Sequence, residues 1–175
     1  MRNCSFFLFL LIGLACSPEE PATPVFVPSL ETLQGVWQID SYSYDYETFE
    51  TQNDSTTNTR TIRSFGPGLL LTFAGERYRC EGETVVRHIH TAEDGTVDTL
   101  TEEVTTFFGG TGELFLPGLN PMVMRADSTG GGYFWRVSAT SADRAAFSWD
   151  EDNRYEWTAD HISGDRSRVR MELRR

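Results

Sequence analysis

The 175-residue chain contains no lysine at all. Its fifteen basic residues are all arginine; against twenty-six carboxylates they leave a formal charge of −11, or −12 once Arg2 is removed with a leader. A surface of that sign repels phosphate backbones and anionic headgroups, which argues against nucleic-acid binding and against a basic membrane-binding face. Cysteine is also scarce, with only Cys4, Cys16 and Cys80. Helical periodicity is missing as well: past residue 34 no window of a dozen residues repeats its apolar positions every 3.6. Phe6 to Leu14 is the one continuous apolar run, and at roughly 7–15 residues such a run is too short to span a bilayer.

That run follows Arg2 and ends in Gly13, Leu14, Ala15 and Cys16, the pattern of a signal peptide. A small residue before cysteine resembles the lipobox of bacterial lipoproteins, although Gly13 stands where that family carries leucine or another aliphatic. The resemblance implies cleavage before Cys16, diacylglycerol on its thiol and acylation of its new amino group. Acyl chains contribute about 0.8 kcal/mol per buried methylene and would form a stable membrane anchor. Cys4 would then leave with the leader, so Cys80 alone remains and no internal disulfide can form. Ser17 in place of aspartate, by the same resemblance, implies the outer membrane. "SPEE" is similar to acidic tethers that send lipoproteins to the cell surface.

Residues 16–33 hold Pro18, Pro21, Pro24 and Pro28, four of the seven prolines, and so predict an extended spacer. The organisation expected is a signal peptide over 1–15, a tether over 16–33 and a single domain over 34–175.

Within that domain the apolar positions alternate. Leu69, Leu71 and Phe73 share a parity; so do Tyr133, Trp135 and Val137, then Ala145, Phe147 and Trp149, then Tyr155 and Trp157, then Val169, Met171 and Leu173. Asp150 to Asn153 and Ser163 to Asp165 read as turns, and Thr51 to Thr59 as a polar loop. Half-apolar strands joined by short turns bury one face each, in a sandwich or a closed barrel, and closure removes exposed edges. The fold expected is all-β, an up-and-down antiparallel barrel of about eight to ten strands.

Gly35-x-Trp37, at the start of the first long strand, resembles the lipocalin signature. That resemblance implies a tryptophan at the closed end of an eight-stranded barrel, packed against a basic residue of the last strand, with Arg168 and Arg170 as candidates. It lacks the C-terminal helix of classical lipocalins and the helical lid of fatty-acid-binding proteins. Further along the first strand, Tyr42, Tyr44 and Tyr46 fall on the parity opposite to Trp37 and Ile39. A bulge near Asp40 or Ser41 turns them inward; without one they form an outer ladder for a partner.

Chemistry-bearing motifs are sparse. His88 and His90 share a strand face but find no third ligand nearby, so solvated surface is the better reading. Asp150 to Asp152 is half a calcium loop without its glycine and downstream ligands. The glycine clusters at 109–112 and 130–132 do not lead from strand into helix, so phosphate cradling has no support. Cys80 alternates with Tyr78 and reads as a buried thiol. No catalytic residue, metal or cofactor is expected. Candidate ligand-lining residues are Tyr42, Tyr44, Phe73, Tyr78, Trp135, Phe147, Trp149, Tyr155 and Trp157, around one small hydrophobic molecule. The same aromatics could fill the barrel solidly; the protein would then dock a protein or glycan partner at the envelope.

Overall fold

The computed structural model describes residues 29–116, 121–158 and 160–175, apart from the side chains of 139, 140 and 157. The signal peptide, Cys16 and most of the tether lie outside them. The first described element is a single helical turn, α1 (Leu30–Leu33), closed by a reciprocal capping box between Ser29 and Thr32. Leu33 is fully buried, so Ser29 to Leu33 packs as part of the domain rather than as the end of a tether.

Eleven antiparallel strands follow among the described residues: β1 (Gly35–Gln52), β2 (Ser55–Phe65), β3 (Leu69–Ala74), β4 (Arg77–Gly82), β5 (Thr84–Thr91), β6 (Val97–Val104), β7 (Thr111–Phe115), β8 (Met122–Ala126), β9 (Gly132–Ser141), β10 (Arg144–Thr158) and β11 (His161–Arg174). Hydrogen-bonded neighbours run β11-β10-β9-β8-β7-β4-β3-β1, and β1 pairs back onto β11. These eight strands close the expected up-and-down barrel. Beyond it, β1 continues upward beside β2, which carries β5 and β6 in turn. The upper parts of β10, β11 and β1 together with β2, β5 and β6 form a tall sheet standing on one side of the ring.

Two features make that sheet, and both were read from sequence as loops or turns. Asn53 and Asp54 take φ of 49° and 62°, the two left-handed positions of a tight hairpin turn, so Thr51 to Thr59 is a β1–β2 hairpin. Asp150 to Asn153 lies inside β10, and Ser163 to Asp165 inside β11. The acidic residues stay in the strand because Asp150 and Asp152 stand opposite Arg168 and Arg166. Gly164 stays because Phe49 and the Asn153 carbonyl occupy the space its Cβ would need.

The core follows parity. Leu69, Leu71, Phe73, Tyr78, Cys80, Leu114, Met122, Met124, Trp135, Val137, Ala145, Phe147, Met171 and Leu173 all point into the ring and are buried. The outward rows of β4 and β11 are charged, with Arg77, Arg79 and Glu81 on β4 and Arg166, Arg168, Arg170, Glu172 and Arg174 on β11, whereas Val36, Leu70, Phe115 and Phe134 are exposed apolar side chains on β1, β3, β7 and β9. A barrel that spans lipid reverses this pattern, with an apolar band outside. On β4 and β11 the outer face is built to face water.

Candidate functional site

The register of β1 against β11 shifts between Ile39 and Ser41, leaving Asp40 as an extra residue. That bulge reverses the parity of all that follows. Trp37 and Ile39 point inward, and so do Tyr42 and Tyr44. Tyr42 is buried, stacking on Phe65 with ring centroids 4.8 Å apart. Tyr44 packs half-buried above it and lies parallel to Tyr46 at 6.1 Å. The tyrosines thus continue the interior wall into the tall sheet.

Trp37 seals the lower end of the ring. Its Nε1 donates to the Leu33 carbonyl at 2.7 Å. The cation over its ring is Arg175, 4.4 Å from the centroid, and neither Arg168 nor Arg170. Inward Val169, Met171 and Leu173 put both of those arginines on the outer face. There Arg168 lies between Asp45 and Asp150, and Arg170 pairs with Asp150 at 2.9 Å. Arg175 follows the strand, is free of its parity, and also donates to the Thr32 and Gln34 carbonyls at 3.0 and 2.6 Å.

Of the expected lining residues, Phe73, Tyr78, Trp135 and Phe147 come together inside the ring. Phe147 lies 6.2 Å from Phe73 and 6.0 Å from Trp135. Trp149 leaves that row: its ring packs on Phe134 at 5.6 Å, with Arg136 6.0 Å from its centroid, both residues of the outward parity of β9. Tyr155 is 51% exposed, high on β10. Trp157 belongs to the side chains not described.

The upper mouth of the ring is plugged by two residues that the sequence reading passed over. Phe107 and Phe108 lie between β6 and β7, followed by Gly109 and Gly110 at φ of 74° and 78°. Phe108 itself sits at φ 52°, a strained position for a bulky side chain. Its ring edge meets Tyr42, Tyr133 and Trp135 at 5.8, 5.2 and 5.7 Å. Phe107 covers Tyr42 and Phe65 at 5.0 and 4.9 Å. The Tyr78 hydroxyl donates to the Phe108 carbonyl at 2.6 Å, and burial holds that hydroxyl well above the ordinary tyrosine range. Burial does the same for Tyr42. A pair of phenylalanines ahead of a glycine pair was the available signal. Beneath the plug, the buried Nε1 of Trp135 has no hydrogen-bond acceptor among the described residues.

His88 and His90 face the concave side of the tall sheet. Arg63 Nε donates to His88 Nδ1 at 3.4 Å, and Glu102 stands 3.6 Å from His88 Nε2, too far for a hydrogen bond. Thr61 bonds His90 at 3.1 Å. Among the described residues no three histidine, cysteine or acidic side chains are grouped to hold a metal. Burial pushes the Cys80 thiol up to about 11, which suppresses the thiolate a nucleophile needs.

No protein-family model and no curated protein matches the chain. Among solved structures it is similar to Ail, the attachment invasion locus protein of Yersinia pestis, crystallised with the heparin analogue sucrose octasulfate. Identity is 8% and the TM-score 0.19, over 80% of this chain and 99% of that one. At that score the likeness carries no argument.

Proposed function

We propose that this protein is a non-catalytic, lipocalin-like binding protein, lipid-anchored through Cys16 at the outer membrane, that takes one small apolar molecule carrying a hydrogen-bond acceptor. The observation that carries this reading is the unpartnered Trp135 Nε1 beneath the Phe107–Phe108 plug. A buried donor without an acceptor costs about 1–3 kcal/mol. A ligand that displaces the Phe108 ring and places a carbonyl or ether oxygen on Trp135 recovers that cost. The floor of the opened site is Tyr42, Phe65, Tyr133, Phe147 and Trp135, an aromatic surface suited to a ring system or an acyl chain. The paired glycines supply the hinge, and the left-handed Phe108 supplies strain that opening relieves.

The test compares 2-methyl-1,4-naphthoquinone with 2-methylnaphthalene, similar in shape but without the acceptor, by tryptophan fluorescence quenching on the full chain and by calorimetry. The expected result is preference for the quinone by about tenfold or more. Trp135→Phe should abolish the difference without loss of fold. Absence of binding by both compounds, together with no small molecule co-purifying in native mass spectrometry, would favour the other reading. In that reading the filled interior is purely structural and the barrel serves as an interaction module.

A further inference from the structure

The concave face of the tall sheet holds a second feature, separate from the plugged interior. Residues of β1, β2, β10 and β11, with Glu93 from the segment after β5, line an open cleft of about 280 Å³, and Phe49 and Asn58, of the opposite parity, reach it as well. Tyr46 forms part of its floor, supported from below by the parallel ring of Tyr44, 6.1 Å away with an interplanar angle of 8°. Tyr155 rises at its rim, half exposed. Between the two tyrosines lie hydroxyls and carboxylates. Thr48 and Thr59 face each other across β1 and β2 with Oγ1 atoms 2.7 Å apart. Glu50 is engaged by His161 at 2.9 Å, and Asp165 accepts from Asn153 at 3.2 Å.

We infer that this cleft binds a neutral glycan. The lining decides the class by elimination and by fit. No arginine contributes to it, and Glu50, Glu93 and Asp165 give it a negative field, so sulfated or uronate sugars are repelled. An apolar ligand would leave its hydroxyls and carboxylates unsolvated and unpaired. Two of the three carboxylates already receive protein donors, which lowers their pull on a cationic ligand. What remains is a group of threonine hydroxyls, of which Thr48 and Thr59 share one proton between them and keep one donor and spare acceptor lone pairs for a ligand, beside the rings of Tyr46, Phe49 and Tyr155. A sugar ring has the complementary pattern: hydroxyls at its edge with the same dual capacity, and apolar C–H faces that lie flat on an aromatic ring. A cleft of this volume admits roughly one or two pyranose units, which leaves the rest of a chain to run out past Tyr155.

The experiment uses the full chain in detergent. Maltohexaose, cellohexaose and the N-acetylglucosamine hexamer serve as neutral probes, the glucosamine hexamer as the cationic one and the galacturonic acid hexamer as the anionic one, each titrated by calorimetry. The expected result is binding of at least one neutral hexamer, weakened about tenfold by Tyr46→Ala and by Tyr155→Ala. Thr59→Val should weaken it in the same direction, and Trp135→Phe should leave it unchanged. Tyr155 is exposed, so its variant keeps the test valid if the Tyr46 variant folds poorly. The inference is overturned if no neutral hexamer binds. It is equally overturned if the cationic or anionic hexamer binds more tightly, or if the Tyr155 and Thr59 variants keep wild-type affinity.

Discussion

The Arg175 guanidinium lies 4.4 Å from the centroid of the Trp37 ring while donating to two carbonyls of the α1 turn. One side chain thereby ties the end of β11 to the segment that enters β1, and covers the buried indole at the seam. Arg175→Ala removes a cation–π contact and two hydrogen bonds and should lower unfolding free energy by about 1–3 kcal/mol. Arg168→Ala, on the exposed outer face, should change it by about 0.5 kcal/mol or less. Urea denaturation followed by tryptophan emission reads both.

The Asp40 bulge sets which residues line the interior above Ile39. Deleting Asp40 removes the extra residue and leaves Ile39, Ser41 and Tyr42 opposite Leu173, Glu172 and Met171 in a regular ladder, so Tyr42 and Tyr44 stay inward. The expected outcome is a retained cooperative thermal transition; its loss would show that β1 needs the extra residue to fit β11. Asp40→Ala keeps the extra residue and should retain the near-ultraviolet circular dichroism of the wild type.

Acid should weaken two outer ion pairs, one on the tall sheet and one on the ring. The Arg60 fork, with Nε and Nη2 donating to Asp45 at 2.8 and 2.7 Å, holds the Asp45 carboxyl below its ordinary range. Hydrogen bonds from Arg77 and Thr111 do the same for Asp127. Because the folded value lies below the unfolded one, this stabilisation is present above about pH 4 and fades as pH falls through the folded value. Both pairs are exposed, so the slope is shallow and shrinks further in salt. Asp45→Asn should flatten the acid limb of a stability–pH profile, and an unchanged limb would assign the sensitivity elsewhere.

The thiols separate by location. Cys80 is buried with its ionisation pushed up to about 11, so in the folded protein at pH 8 it should resist a disulfide reagent and react only after denaturation. Cys16, if acylated as proposed, should incorporate labelled palmitate in cells, and Cys16→Ala should abolish the label and release the protein from the membrane fraction.

Much of the fold is legible as parity. The alternation of Leu69, Leu71 and Phe73, of Trp135 and Val137, and of Met171 and Leu173 marks the inward face correctly because only the ring interior can bury that many apolar side chains. The same alternation places Arg168 and Arg170 outside, so the sequence itself opposed them as partners of Trp37. Arg175 escaped notice because a residue past the strand end obeys no period. Asp150 to Asn153 has turn-like composition, yet the arginine row of β11 holds it extended, a tertiary effect that local composition does not register. The tyrosine parity was ambiguous for a different reason, since one extra residue inverts every side chain beyond it and no propensity identifies that residue. Phe107 and Phe108 belong to no strand and so fell outside any periodic reading.

The unequal height of the strands has a consequence for how the molecule can change. Eight strands are locked in an unbroken hydrogen-bonded circle, whereas β6, among the described residues, pairs only with β5 and carries Asp98, Glu102 and Glu103 along its length. Like charges there discourage an intruding chain, and the free border spares the circle from any rearrangement above it. Amide exchange should therefore show a slow girdle and a faster crest. Substitutions in the crest can remodel what it recognises while the girdle keeps its shape.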